Sequence, residues 1–269
     1  MSGQRILYVD AHLHVDLYEQ AERGALLENA AADGVTGIVA VSMNLSSSRG
    51  NQALAERYPD LITPAYGFHP EQRLPDKAEL AALLDWIRER HAAGERFAIG
   101  EVGLPYYTRT EAEAKGEEFD ESPYLNLLSQ FVQLAAELDL PIVLHAVYED
   151  ADKALDLLER YQVRYAHFHW FKGSEATVSR MMSNGYMISI TPDVVYEEEI
   201  QQLVRQYPLE LLMTETDGPW PFEGPFAGKR TEPGMVKQVA AAIAELKAVE
   251  HSAAAEALLN NALRFYRIS

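Results

Sequence analysis

A chain of 269 residues with 48% hydrophobic content can form either one large closed α/β barrel or two small domains around an ordinary core. It has no cysteine, which excludes disulfides and thiolate ligands, and no run of about 18 uncharged apolar residues, which argues against a helical membrane span. A net charge of −18 repels phosphates wherever metal or local basic charge does not offset it, so an extended, sequence-specific DNA interface is not expected.

The N-terminal MSGQRILYVD lacks the long apolar core of a signal peptide, and a cytoplasmic protein is expected. The first strand signal, residues 6–10, leads into VDAHLHVD. Side chains at i and i+2 share a strand face, so His12 and His14 can grip one ion. Strand signals follow at 36–42 and 62–67, the latter running into GFHP with His69. A helix over 76–93 precedes a fourth strand at 97–101, which ends on Glu101 in FAIGEVG. Residues 109–122 (RTEAEAKGEEFDES) are strongly acidic and read as a solvated loop, with a lid over the mouth of a site as the sharper alternative. A helix over 123–139 leads to a fifth strand, 141–145, ending at His145. After a helix over 150–161, the sixth strand, 164–169, carries His167 and ends at His169 in HFHWF. Helices over 174–184 and 196–206 flank a seventh strand at 186–190, and an eighth at 209–214 runs into ETDGP with Asp217. The Pro- and Gly-rich stretch 218–234 starts beside that acid, and long loops in compact domains tend to be functional.

Alternating strands and helices imply a parallel sheet with crossover helices. Eight units in this length predict a (β/α)8 TIM barrel, with residues 1–269 forming one domain. An open doubly wound sheet would need a Gly-rich turn after its first strand, and Asp10-Ala-His-Leu-His is not one. In a barrel the strand C-termini carry the chemistry, and there stand His12, His14, Glu101, His145, His169 and Asp217. Imidazoles and carboxylates together suit zinc, manganese, iron or magnesium. As metal-free buried acids, Glu101 and Asp217 would be costly. His91 and His251 lie within helical patterns and are expected on the surface; Trp170 and Phe171 are expected to pack, while Trp220 and Phe222 leave packing and substrate contact open.

With DAHLHVD, GFHP, GEVGL, LPIVLHA, HWFKGS, ETDGPW, TEPGMV and NALRFY in order, the chain resembles the TatD-type metal-dependent deoxyribonucleases, a family of amidohydrolase-like barrels. The resemblance covers nearly the whole sequence. It implies two divalent ions: one on His12, His14, Glu101 and Asp217, the other on Glu101, His145 and His169, with Glu101 shared. It places the sixth-strand ligand at His169, with His167 a second candidate of the same parity, and makes His69 a substrate-contacting residue. Three departures border the mouth: Pro105 before Tyr106 and Tyr107 where the family has Asp-Tyr, Thr231-Glu232-Pro233 where it has Asn-Glu-Pro, and the acidic stretch before the helix at 123–139.

The implied activity is metal-dependent cleavage of DNA or RNA ends by a water that the two ions activate. Asp217 is expected to be the general base, His69 to assist the leaving oxygen, and Asp10 and Glu215 to accept from the ligating imidazoles. The competing activity is hydrolysis of another ester or amide, such as an aminoacyl ester or small phosphoester, at the same centre. A barrel that binds without turnover would tolerate losing a ligand, and the set is complete. Lys172, Arg180, Lys229 and Arg230 are the few candidates for a basic track at the mouth.

Overall fold

The computed structural model describes residues 6–268. Eight strands lie in sequence order, each parallel to the next: β1 (Tyr8–Leu13), β2 (Val35–Ala40), β3 (Ile62–Tyr66), β4 (Ala98–Gly103), β5 (Ile142–His145), β6 (Ala166–Phe168), β7 (Met187–Ile190) and β8 (Leu212–Thr214). The sheet curls until its two ends meet. Thr214 Oγ1 donates to the Val9 carbonyl at 2.7 Å, Asp217 N to the His12 carbonyl at 2.9 Å, and His14 N to the Gly218 carbonyl at 3.0 Å. The result is the expected (β/α)8 barrel.

The helices are α1 (Arg23–Ala32), α2 (Leu45–Arg57), α3 (Lys77–Ala92), α4 (Tyr106–Ala114), α5 (Ser122–Leu138), α6 (Glu149–Arg160), α7 (Glu175–Asn184), α8 (Glu198–Gln206), α9 (Val236–Lys247) and α10 (His251–Phe265). None is long and apolar enough to cross a membrane. Local chemistry sets helix boundaries at α3 and α7. Asp76 accepts from Ala78 N and Glu79 N, while the Glu79 side chain accepts from Asp76 N, a reciprocal cap at the head of α3. Gly185 ends α7 in the left-handed conformation at φ 69°.

Two apolar layers hold the barrel. Residues such as Leu13, Ile38, Ile99, Leu144 and Phe168 pack in the larger cluster with helix residues such as Ile87, Phe131 and Leu158. A second cluster joins Val9, Ala11, Val39, Ala65, Ala98, Val143, Met187 and Met213 with Ala262, Phe265 and Tyr266 at the end of the chain, so α10 and its flank stop one end of the barrel.

The sequence reading departs from the structure in three places. Residues 109–114 belong to α4, so the acidic stretch is half helix; Arg109 is buried there and pairs with Glu149 at 2.7 Å and Asp150 at 3.0 Å. Residues 209–211 form a 3-10 turn in which Leu211 N donates to the Pro208 carbonyl at 3.0 Å, and β8 is only three residues long. His251 is half-buried instead of on the surface, its ring stacked on Tyr8 at 6.5 Å.

Candidate metal centre

His12, His14, His69, Glu101, His145, His169 and Asp217 converge at the C-terminal ends of the strands, all buried. The register of β1 shifts between Asp10 and Leu13, and that of β4 between Ile99 and Val102. Such irregularities re-aim side chains, and here they flank His12 and Glu101. His14 lies just past β1, yet its Nε2 and that of His12 both reach Glu101 Oε2 at 3.1 Å. Gly103 lets β4 approach β5: a Cβ there would sit 1.9 Å from the His145 carbonyl oxygen. Asp217 stands at φ 49°, a left-handed conformation that Asp tolerates better than most residues.

Glu101 divides the site. Its Oε2 faces His12 and His14, and Asp217 Oδ1 lies 3.4 and 3.6 Å from their two Nε2 atoms. Its Oε1 faces His169 Nε2 at 2.7 Å, His145 Nδ1 at 2.9 Å and His69 Nε2 at 3.4 Å. Those two groups, His12 with His14 and Asp217, and Glu101 with His145 and His169, each bring their ligand atoms close enough for one ion.

Electrostatics favours a cation in both halves. Asp10, Glu101, Glu215 and Asp217 are four carboxylates with at most 2% exposure, and among the described residues none pairs with Lys or Arg. Buried charge without compensation is expensive. Burial, with the charges of Glu101, Glu215 and Asp10, raises Asp217 well above the carboxylate range. Burial would also raise Glu101, but the imidazoles of His169, His69 and His12 hold it well below. His12 Nε2, Glu101 Oε2 and Asp217 Oδ1 are buried with no hydrogen-bond partner among the described residues. The residues therefore fit a divalent ion as hard and borderline donors with unused lone pairs.

The surrounding contacts differ from expectation. Asp10 bonds no imidazole ring; it accepts from His12 N at 3.3 Å and from Thr216 N and Oγ1 at 3.0 and 2.5 Å, tying β1 to the segment before Asp217. Glu215 Oε1 lies 3.8 Å from His169 Nδ1 and accepts from Trp170 N at 2.7 Å. His167 points away from this group, into a buried chain in which its Nδ1 meets Tyr266 Oη at 2.6 Å and its Nε2 meets Ser189 Oγ at 2.5 Å. Burial lowers His69 to about 3, so it is neutral. Its Nδ1 accepts from Glu71 N at 3.1 Å, which leaves the proton on Nε2, the nitrogen facing Glu101.

Over the centre lies a cavity of about 510 Å³ lined by His14, His69, His145, His169 and Asp217, by Glu111 of the acidic stretch, and by residues the sequence reading did not single out, chiefly Glu71, Thr108 and Val147. The acid two positions after His69 was the one available signal for Glu71. Tyr107, Trp170 and Trp220 give the cavity aromatic walls; Phe171 and Phe222 are buried packing residues. Among the described residues no Lys or Arg lines it. Of the expected basic track, Arg180 pairs with Asp156 and Glu159 on the outer helices, and Arg230 pairs with Glu22.

Comparison with known proteins shows the family. The model of the family described as TatD related DNase matches residues 9–267. A protein of Haemophilus influenzae named an uncharacterized metal-dependent hydrolase is 37% identical over 96% of this chain and 99% of its own length. Human deoxyribonuclease TATDN3 is 29% identical over 96% of this chain and 94% of its own. The crystal structure of YjjV, a TatD homolog from Escherichia coli, superposes with a TM-score of 0.82 at 28% identity, covering 97% of this chain and 98% of that one. With its barrel, its pole of histidines and acids and this match over almost its full length, the chain belongs to the TatD-related DNase family.

Proposed function

We propose that the protein is a divalent-metal-dependent phosphodiesterase that trims single-stranded DNA or RNA ends, with His12, His14, Glu101 and Asp217 holding one ion and Glu101, His145 and His169 the other. The observation that carries this reading is Glu101, whose two oxygens each face a separate set of donors. Divalent ions bound there supply Lewis-acid charge for the scissile phosphoryl group and for the attacking water. Asp217, at the cavity wall, accepts the proton of that water. The neutral His69 donates a hydrogen bond from Nε2–H to the charge developing on the leaving oxygen, which takes its proton from solvent. Tyr107 and Trp220, 53% and 48% exposed at the mouth, offer faces on which a terminal base stacks.

Hydrolysis of another ester at the same centre is the second reading. That no described Lys or Arg lines the cavity favours it, because an extended phosphate backbone finds no basic side chain there. The test is a hydrolysis panel with manganese, magnesium and zinc added separately, comparing single-stranded DNA, RNA, duplex DNA and small esters. The proposal predicts metal-dependent release of terminal nucleotides, slower on duplex, with a shallow salt dependence because few phosphates are contacted. Strong duplex preference, or steep loss of activity with salt, counts against it; turnover confined to small esters moves the assignment to the second reading.

The His69 amide donates to the Met43 carbonyl at 3.0 Å and its carbonyl accepts from Gln72 Nε2 at 2.9 Å, backbone bonds that alanine keeps, and its imidazole is outside the proposed ligand set. His69→Ala is therefore expected to keep its fold and bound metal while kcat falls by about 10²- to 10⁴-fold. Near-normal turnover in that variant would make His69 a residue of the turn before Pro70.

A further inference from the structure

We propose that Glu71 is a positioning residue that joins α4 to the metal centre, clasping the head of the helix with its carboxylate while accepting the outer imidazole proton of His145. This rests on the two-ion reading above. Glu71 Oε1 accepts from Tyr107 N at 2.8 Å, and Oε2 accepts from Thr108 N at 2.8 Å and Thr108 Oγ1 at 2.5 Å. These amides belong to the first turn of α4, where helical N–H groups have no internal partner and negative charge is favoured. Pro105, the residue before the helix, supplies no capping side chain, so Glu71 does this from 36 positions away.

The same Oε1 lies 3.4 Å from His145 Nε2. His145 aims Nδ1 inward, 2.9 Å from Glu101 Oε1 and 3.1 Å from His169 Nε2. To hold an ion, that nitrogen must offer its lone pair, which puts the proton on Nε2. Nε2 is buried and makes no hydrogen bond among the described residues, so the Glu71 carboxylate at ion-pair distance is the acceptor at hand for its proton. A carboxylate behind a ligating imidazole fixes its tautomer and ring orientation. Because α4 carries Tyr107, Thr108 and Glu111 into the cavity wall, the clasp places the wall and the ligand with one side chain.

Glu71→Ala and Glu71→Gln would be titrated with Mn2+ by chelator competition, and exchange of the backbone amides of residues 105–114 followed by mass spectrometry. In Glu71→Ala one Mn2+ is expected to bind about 10- to 100-fold more weakly, the other as in the parent, and the α4 amides to exchange faster. Glu71→Gln, which keeps a carbonyl acceptor, is expected to fall between the two. Parental affinity for both ions with unchanged exchange would overturn the proposal. So would equal weakening of both ions with faster exchange throughout the chain, which marks a loss of stability alone. The metal reading fails separately, by a parent protein that binds fewer than two ions; the exchange data then still decide whether Glu71 clasps α4.

Discussion

Glu101→Gln is expected to weaken both ions together and to lower hydrolysis by about 10³-fold or more, the equivalent of several kcal/mol of lost transition-state charge stabilisation. The reason is geometric. One carboxylate turns Oε2 to His12 and His14 and Oε1 to His145 and His169. An amide cannot offer anionic oxygen to two cations, since one of its ends is a donor. Substitution of any other ligand touches only one half. Metal analysis of purified Glu101→Gln checks this: undiminished occupancy at both positions would contradict the bridging role even if activity fell.

Asp217→Asn carries the second large effect. Asn tolerates the left-handed backbone found at φ 49° about as well as Asp, so the fold should survive. On the proposed mechanism the variant would keep an oxygen as a weak ligand but lose the proton acceptor. The expected result is a fall in kcat of about 10²- to 10⁴-fold, with KM little changed and the ion on Glu101, His145 and His169 retained. In the wild type, burial and the nearby carboxylates push the Asp217 carboxyl well up, and a cation bound beside it would let it ionise. A variant with near-parental kcat would move the base elsewhere.

Much of this architecture was legible because each signal was local. The apolar runs ending in His145 and His169 mark strands that stop where the chain leaves the barrel, and the glycines of GEVGL and ETDGP mark places where a Cβ does not fit: at Gly218 it would meet the Tyr18 hydroxyl at 1.9 Å. The parity argument placed His12 and His14 on one face, and they do converge, although the strand ends at Leu13 and a register shift takes part in aiming them. What could not be seen was set by contacts distant in sequence. Glu71 is defined by α4 and His145, and α4 itself is held by Arg109 against Glu149 and Asp150. A local reading sees only an acidic stretch there. Asp10 shows the same limit: its neighbours suggested an imidazole partner, but Thr216, 206 positions away, takes its oxygens. The parity that made His167 a ligand candidate also allows it to face Tyr266, and the end of the chain decides between them.

The most direct test of the account is anomalous diffraction from crystals of the protein loaded with Mn2+, collected at the manganese edge. The account predicts two peaks on either side of Glu101, one among His12, His14 and Asp217 and the other between His145 and His169. A single peak, or peaks away from Glu101, would contradict it.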